Sequence, residues 1–595
     1  MRLSKPCSLR LELLDARCLP SADVVLDWNE LLLQSLSSQP PRVPLARNMA
    51  LVHVAMFDAV NAIDKSYEPY ATHLQTWGGA SQEAAAAQAA HDTLVALYPS
   101  RQAIYDAQLA ADLDGIPTHL ARPGIATGRE VAREILALRA DDGAAAVVNY
   151  TPPNNDPGQW QPTPPNFQSA TNAHVPLITP FAIESSSQFR PPPPPGLTSP
   201  EYAGAFNEAK LLGASDADTA DRDGNGLPDR TADQTLVAEL WRVPLSQHQV
   251  WNRIAQDQAR DRHLSLPETA RLFALLDMAL NDGLETSFES KYHYQLWRPV
   301  TAIQRADEDG NPDTVAEPTW MTEHPTTPPY PTYAGNAATF GAASATVLAA
   351  VLGRDDLPFQ VDWSPYTPLG GPRSYPGFWA AADEQARSRV YGGIHFQFDS
   401  DAGQGIGRNV AHYILDHFLT PEGGPDALRA ATAAPGRVTQ SLRGNQVQPL
   451  LTEALARWQA AGVDTSALNG VDVHIADLGG RTLGRAANGV IVLDDNAAGW
   501  GWFVDRTRRS DSEFTRRGNQ GEKNRMDLLT VLEHEVGHLL GYDHASGGLM
   551  QETLTAGTRV TVGPAAAKPG DSATLISWSP DSSWIGDRLG TGKRK

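Results

Sequence analysis

The chain has 595 residues, 41% apolar and 20% charged, a balance that fits a folded protein of two or more domains and excludes overall disorder. Its 69 acidic and 48 basic residues give a net charge of −21, which argues against nucleic acid as a partner because phosphates attract basic surfaces. The cysteines, Cys7 and Cys18, lie near the N-terminus, and no run of about eighteen apolar residues occurs, so neither a disulfide framework nor a membrane span is predicted. An acidic secreted or periplasmic enzyme fits this composition best.

Residues 1–24 are interpreted as a leader. Glu12 and Asp15 interrupt the apolar part of RLELLDARCLPSA, so it falls short of a standard signal-peptide core. The segment resembles a short motif at the N-terminus of many large exported proteins of one bacterial group, which predicts export to the periplasm, cell surface or medium. A disordered leader explains the segment equally well.

Apolar residues follow helical spacing from residue 44 onward, which predicts a mainly α-helical domain over residues 25–420. Besides the first stripe, helices are predicted over residues 83–98, 102–113, 129–139 and 268–280. Strand-like alternation is nearly absent before Val471. The Pro-rich stretch 150–197 predicts a loop wrapped on the helical bundle.

An insertion at residues 216–233 carries acidic residues at the spacing of a calcium loop. Positions 1, 3, 5 and 9 of an EF-hand-like loop are Asp221, Asp223, Asn225 and Asp229, and a glycine stands at position 6. Position 12 is alanine, so the bidentate acidic ligand is either displaced to Asp233 or missing. The segment is either a weak structural calcium site or a solvated acidic loop.

The stretch from Lys291 to Asp399 gathers cations around one histidine. Lys291 and Arg298 are separated by about two helical turns and would share one face of a helix, which the following proline should break beside the arginine. Further on, Arg389 supplies a third cation and is followed by two glycines. His395 and Asp399 come next and supply an imidazole and a carboxylate that could orient it. These residues predict an oxyanion pocket, because guanidinium groups bind tetrahedral oxyanions bidentately.

These residues resemble the motifs of the vanadium-dependent haloperoxidases and of the type 2 phosphatidic acid phosphatases that share their fold. The family patterns K-x6-R-P and S-R-x5-H-x3-D are both present, beginning at Lys291 and Ser388. Where the family reads P-S-G-H, this chain has Gly335, Asn336 and Ala337 at the serine, glycine and histidine positions. The acid–base histidine of the family is therefore replaced by Ala337, or by Asn336 if the match slides by one residue.

The resemblance implies a helical bundle that holds vanadate and oxidises halide with peroxide. It implies that vanadate is bonded to His395, that Arg298 and Arg389 hold its oxygens, and that Lys291 polarises the peroxide. A helix predicted to start near Asn336, with that residue as its N-cap, would turn its free amides and the backbone at Gly335 toward the anion.

Two other functions remain open for the same pocket. Phosphate is isosteric with vanadate, so the pocket could transfer a phosphoryl group from a phosphoester to His395 as nucleophile. Alternatively, the bundle is a non-catalytic scaffold that binds anions, and the chain works through its C-terminal domain.

A polar linker is predicted over residues 421–440, followed by a small α+β domain over 441–565 and a tail over 566–595. An amphipathic helix, two strands (VDVHIADL and GVIVLDDN) and a second helix are predicted in that domain.

The second helix carries the pattern H-E-x-x-H-x-x-G-x-x-H. His534 and His538 would lie one turn apart on one face, and His544 would follow a glycine turn and supply a third zinc ligand. Glu535 would activate a zinc-bound water. The pattern resembles that of the metzincin proteases, and Met550 stands where their methionine turn is expected, which implies zinc and a peptide substrate.

Overall fold

The computed structural model describes the residues 23–36, 45–74, 76–242, 247–364, 367–421, 427–432, 434, 442–468, 470–476, 478, 481–487, 490–511, 514, 524–542, 544–545 and 548–562. The predicted leader up to residue 22, on which the export prediction depends, and the predicted tail lie outside the described residues. The chain divides into two compact units, Met1–Pro421 (unit 1) and Glu422–Lys595 (unit 2).

Unit 1 is built from helices. In chain order they are α1 (Asp23–Leu36), α2 (Leu45–Asp64), α3 (Gln82–Leu97), α4 (Gln102–Leu113), α5 (Thr118–Leu138), α6 (Pro200–Leu212), α7 (Ala232–Leu240), α8 (Gln247–Asp261), α9 (Leu266–Tyr294), α10 (Pro299–Gln304), α11 (Asn336–Val351), α12 (Phe378–Tyr391) and α13 (Gln397–His417). The predicted helices are confirmed, although α5 begins eleven residues before the predicted start at 129 and α9 continues fourteen residues past the predicted end at 280. No helix in the described ranges is long and apolar enough to cross a membrane.

The long helix α9 lies at the centre of unit 1 and packs against α2, α11 and α13. Helix α13 crosses α11 at two glycines: a Cβ at Gly403 would lie 2.2 Å from the Gly335 carbonyl oxygen, and one at Gly407 would lie 2.3 Å from that of Thr339. Any larger residue there would push the two helices apart. The glycines therefore hold the start of α11 close to the start of α13, where the candidate site lies.

The Pro-rich stretch 150–197 is confirmed as a loop on the bundle, with one short 3₁₀ turn at Val175–Leu177. The buried carboxylate of Asp282 on α9 accepts hydrogen bonds from the amides of residues 181–183, which fixes the loop to the central helix. The sequence reasoning missed an antiparallel hairpin, β1 (Phe359–Asp362) with β2 (Pro372–Tyr375). Its strands of four residues are too short for alternation to be recognised.

In its described residues, unit 2 combines two helices with a five-stranded sheet. The helices are α14 (Gly444–Ala460) and α15 (Leu528–Leu539), and the strands are β3 (Ala427–Ala430), β4 (Asp472–Ala476), β5 (Thr482–Ala487), β6 (Val490–Asp494), β7 (Trp502–Phe503), β8 (Met526–Asp527) and β9 (Thr553–Leu554). The sheet order is β4-β6-β5-β3-β9, with β4 parallel to β6, and β7 pairs separately with β8.

The two predicted helices and the two predicted strands of unit 2 are confirmed. The prediction of a linker over 421–440 is wrong for β3, whose four residues are all buried between β5 and β9. A strand of this length gives no periodic signal, because its stability comes from sheet partners more than fifty residues away.

Candidate functional site

Lys291 lies in the last turn of α9, and Arg298 precedes α10 in an extended conformation. The prediction that one helix carries both residues is wrong, because α9 ends at Tyr294 and Gln295 adopts a left-handed conformation with φ of 55°. The amide of Trp160 donates to the Gln295 carbonyl at 2.7 Å, so the Pro-rich loop captures the backbone that would have continued the helix. The two cations still converge, since both contact the segment 330–332.

The buried guanidinium of Arg298 has a free donor in the described part of the chain. Its Nε donates to the Tyr330 carbonyl at 2.8 Å, and its Nη1 donates to the Ile394 carbonyl at 2.7 Å and lies 3.1 Å from His395 Nε2. Its Nη2 has no hydrogen-bond partner among the described residues, although the whole side chain is excluded from solvent. Such a donor is costly to leave unpaired, which points to a missing acceptor.

His395 is held by a carboxylate and a hydroxyl. Its Nδ1 lies 3.0 Å from Asp399 Oδ2 and 3.1 Å from Thr332 Oγ1, and the hydroxyl of Thr332 donates to the same carboxylate oxygen. Burial, followed by the charges of the nearby cations, lowers the pKa of His395 well below its usual value. Burial raises the pKa of Asp399 to about 6, against the opposing effects of Thr332 and the cations. The ring is therefore neutral, and with its Nδ1 proton directed at Asp399 it keeps a lone pair on Nε2.

The remaining cations are Lys291 and Arg389. Lys291 Nζ donates to the Thr332 carbonyl at 2.7 Å. Burial and the neighbouring Arg298 lower the pKa of Lys291 well below its usual value, while Asp399 opposes this effect. Arg389 Nη1 donates to the Trp241 carbonyl at 3.2 Å, its Nε has no partner in the described ranges, and burial lowers its pKa to about 10. Three buried cations face one carboxylate, so a bound anion would remove an unfavourable excess of positive charge.

The start of α11 differs from the prediction. The N-cap is Gly335 rather than Asn336, which is the first residue of the helix. The Gly335 amide donates to the Asp399 carbonyl at 2.8 Å, so it is not available to an anion. The next amides, including that of the buried Ala337, lie in the first turn, where no intrahelical acceptor exists. They remain suited to anion binding.

Sequence reasoning missed Thr332, Tyr330 and His324, which lie in EHPTTPPYPTY between the two recognised motifs. Tyr330 covers the cations: its ring centroid lies 4.9 Å from Arg298 Cζ and 5.4 Å from Lys291 Nζ. A stretch dense in proline gives no periodic signal, so only its position between the motifs could have indicated a role.

A tetrahedral oxyanion such as vanadate fits these donors. Arg298 Nη2 and Arg389 Nε are buried donors without acceptors in the described structure, and His395 Nε2 carries a lone pair beside them. Guanidinium donors suit the oxygens of vanadate or phosphate, and imidazole nitrogen suits a metal centre. The donor set is therefore compatible with vanadate bonded at His395.

In unit 2 the three predicted zinc ligands converge. The Nε2 atoms lie 2.9 Å (His534 to His538), 3.2 Å (His534 to His544) and 3.2 Å (His538 to His544) apart. Three nitrogens at about 2.05 Å from one tetrahedral zinc ion would be about 3.3 Å apart, so this spacing suits zinc. Burial lowers the pKa of His534 to about 3, which keeps that ring neutral and able to bind metal.

Backbone carbonyls orient two of these rings. His534 Nδ1 donates to the Leu549 carbonyl at 2.7 Å, and His538 Nδ1 donates to the Tyr542 carbonyl at 2.9 Å. Metal-binding histidines usually have such partners, which direct Nε2 to the ion. Met550 lies beneath the helix, since a Cβ at Gly537 would come within 2.6 Å of its sulfur. The arrangement is a preformed tridentate site in the described part of unit 2.

The carboxylates of the predicted calcium loop also come together. Oxygen atoms of Asp221, Asp223 and Asp229 lie within 4.8 Å of one another. Arg222 Nη1 pairs with Asp229 Oδ2 at 2.8 Å, and the displaced ligand Asp233 pairs instead with Arg373 on β2 at 2.9 Å. The bidentate twelfth position is therefore missing, and calcium at this loop stays a prediction.

A small calcium effect is expected from this incomplete loop. Millimolar calcium should raise the thermal midpoint of the protein by no more than a few degrees, because weak binding stabilises only with the logarithm of ligand over dissociation constant. The substitution Asp223→Ala should remove the shift. Equal midpoints for the wild type in calcium and in chelator would rule the site out.

The helical bundle and its buried cationic site define unit 1 as a vanadium haloperoxidase type of fold. Residues 271–421 match the family model described as the VCPO second helical-bundle domain, and this range contains Lys291, Arg298, Arg389, His395 and Asp399. The match supports the vanadium haloperoxidase family for the helical unit, as the sequence motifs predicted.

Individual proteins are also similar to this chain. The chain is 26% identical over 360 residues to the vanadium chloroperoxidase of Curvularia inaequalis. This match covers 47% of this chain and 57% of that protein. The chain thus spans little more than half the length of this curated relative. It is also 26% identical to a bacterial vanadium-dependent iodoperoxidase of known crystal structure, with a TM-score of 0.55 over 70% of this chain and 99% of that one. A bacterial vanadium-dependent chloroperoxidase at 17% identity has a TM-score of 0.50 over 64% of this chain and 92% of that one, a likeness of fold.

Proposed function

We propose that unit 1 is a vanadate-dependent, haloperoxidase-like oxidoreductase that acts on peroxide and halide. The observation that carries this proposal is the pair of buried guanidinium donors without partners among the described residues, Arg298 Nη2 and Arg389 Nε, together with the Nε2 lone pair of His395. The names of the relatives, a chloroperoxidase and an iodoperoxidase, support the same chemistry.

Each residue of the site has a task that follows from its contacts. Bound vanadate supplies the Lewis-acidic centre at which peroxide is activated. Arg298 and Arg389 hold the oxyanion through N–H donors and neutralise its charge, and Lys291 adds a third cation from the end of α9. Asp399 and Thr332 keep the proton of His395 on Nδ1 and thereby direct Nε2 at the anion. The burial of these side chains limits their contact with water and strengthens each of these interactions.

The same geometry supports phosphoryl transfer as the second candidate reaction. A neutral His395 with an oriented Nε2 is a competent nucleophile, and the guanidinium donors would stabilise a transferring phosphoryl group as well as vanadate. Metal analysis of the purified full chain separates the three candidates. Vanadium near one equivalent supports the haloperoxidase, and zinc alone supports the anion-binding scaffold. Phosphatase activity in protein without vanadium supports phosphoryl transfer.

Restoring the missing histidine is the direct test of the haloperoxidase. Ala337 is buried in the first turn of α11, two residues after Gly335, whose amide donates to the Asp399 carbonyl. General acid–base help is worth about a hundred- to ten-thousand-fold, so wild-type haloperoxidation should be weak. The substitution Ala337→His should raise peroxide-dependent bromide oxidation by at least about tenfold, or about 1.4 kcal/mol of barrier.

Asn336→His is the control for the alternative register, in which the match slides by one residue. Ala337 is 3% exposed, so each substitution must fit a larger side chain into a crowded region. The activity of both variants should therefore be measured on protein that is shown to hold bound vanadate. A protein that binds vanadate at His395 but gains activity from neither substitution would be an anion-binding scaffold.

We further propose that unit 2 is a zinc metallopeptidase module of metzincin type. Three converging Nε2 atoms, with two Nδ1 atoms oriented by backbone carbonyls, favour this candidate. The buried carboxylate of Glu535, next to the first ligand on α15, is the residue proposed to activate water for attack on a peptide. Hydrolysis of a generic peptide library in the presence and absence of a zinc chelator tests this activity.

A further inference from the structure

A second imidazole, that of His324, is buried at the edge of the oxyanion site and has no part in the mechanism above. Its side chain is 1% exposed, and neither ring nitrogen has a hydrogen-bond partner among the described residues. Buried polar groups in folded proteins nearly always have a partner, which can be a bound ion or ligand. The histidine therefore calls for an acceptor or donor beyond the described residues, such as a bound anion.

The ring lies against the glycine turn that joins two residues of the anion site. A Cβ at Gly392 would lie 2.4 Å from His324 Nε2 and 2.5 Å from its Cδ2, so only glycine admits the ring at this place. The backbone amide of His324 also donates to the Gly392 carbonyl at 3.1 Å. Gly392 is three residues from Arg389 and three from His395 in the chain, so the turn that contacts the imidazole is the one that joins these two residues.

The charged groups around His324 are mostly positive. After burial, the charges of Arg389, Arg242 and Arg230 lower its pKa well below the usual value, and Arg230 is paired with Glu323 at 2.7 Å. A protonated His324 would in turn lower the pKa of His395, so the two rings influence each other electrostatically. A neutral ring in this setting has one N–H to donate, and an oxyanion beside Arg389 is the acceptor that the surrounding charges favour.

We propose that His324 donates a hydrogen bond to the oxyanion held by Arg389 and His395, and so supplies the imidazole contact that α11 lacks at Ala337. This inference rests on the proposed function, because it requires an oxyanion in the pocket. It adds a specific residue, from a segment that neither family motif contains, to the group that contacts the anion.

His248 provides a matched control. It is also a buried histidine whose ring nitrogens lack partners in the described ranges. Its ring instead packs against Phe340 on α11, with centroids 5.3 Å apart, and burial alone lowers its pKa to about 4. Its lowered pKa owes nothing to the cations of the site, so we expect no contact between His248 and the anion.

The test is the affinity of the full chain for orthovanadate and for inorganic phosphate, measured by titration calorimetry. His324→Leu removes the donor at similar volume and should weaken the binding of both anions by at least about tenfold, the cost of one lost hydrogen bond to a charged group, and His248→Leu should change it by less than about twofold. Equal affinities for His324→Leu and the wild type would overturn the inference and leave the proposed function intact. A wild type that binds neither anion would overturn both.

A measurement on the wild type covers the case in which His324→Leu does not fold. In a crystal structure with bound orthovanadate, a His324 ring nitrogen within about 3.2 Å of an oxyanion oxygen supports the inference. A separation beyond about 4 Å overturns it.

Discussion

Replacing Arg298 by glutamine should weaken orthovanadate and phosphate binding by at least about thirtyfold and remove haloperoxidase activity. Truncating one partner of a buried, hydrogen-bonded charge pair costs about 2–5 kcal/mol, and the lower limit of that range corresponds to this factor. The glutamine removes the Nη2 donor, which has no partner in the described structure, together with the charge that His395 faces. Titration calorimetry at fixed ionic strength measures the loss.

Arg305, at the C-terminal end of α10, is the control for Arg298. It pairs with Glu308 at a partly exposed position, and surface pairs of this kind contribute little. Arg305→Gln should therefore bind both anions as the wild type does. If Arg298→Gln is folded and binds orthovanadate with wild-type affinity, the pocket described above is not the anion site.

The sequence predicted the cations of the site but not how the chain brings them together. Lys291, Arg298, Arg389 and His395 could be recognised because their spacing repeats a family pattern. The break of α9 at Gln295 could not, because it depends on a hydrogen bond from Trp160 in a loop more than a hundred residues earlier. Tertiary contacts of this kind override the local tendency to continue a helix.

Long, strongly periodic elements were predicted well, and short elements and loop-borne site residues were not. The strands β1, β2 and β3 have four residues each, and β3 is stabilised by a sheet partner more than fifty residues away. Thr332 and His324 lie in a proline-rich segment without periodicity, and their roles follow only from distances to His395 and Gly392. A motif search finds the residues that a family shares. A residue that compensates for a lost one is recognised only from its position in the folded structure.

Replacing His538 by alanine should lower the zinc affinity of the full chain by at least about a hundredfold. Structural zinc sites bind with about 10–16 kcal/mol for four ligands, so one ligand is worth about 3 kcal/mol or more. His538 Nε2 lies within 3.2 Å of both other ligand nitrogens, so its loss opens one side of the site. Competition with a chromophoric chelator measures the affinity, and the thermal midpoint with and without zinc should lose its zinc-dependent increase.

Two further variants separate metal binding from peptide cleavage. Glu535→Gln removes the buried carboxylate beside the first ligand but leaves all three histidines, so it should keep zinc near one equivalent and lose any peptidase activity. His474→Ala removes an exposed histidine of β4 and should leave both properties unchanged. Full zinc occupancy in the double variant His534→Ala/His538→Ala would show that the metal binds elsewhere.

Because two of the three rings are fixed by backbone carbonyls, zinc should bind to the folded protein without a large rearrangement, and the wild type should reach one equivalent at micromolar zinc.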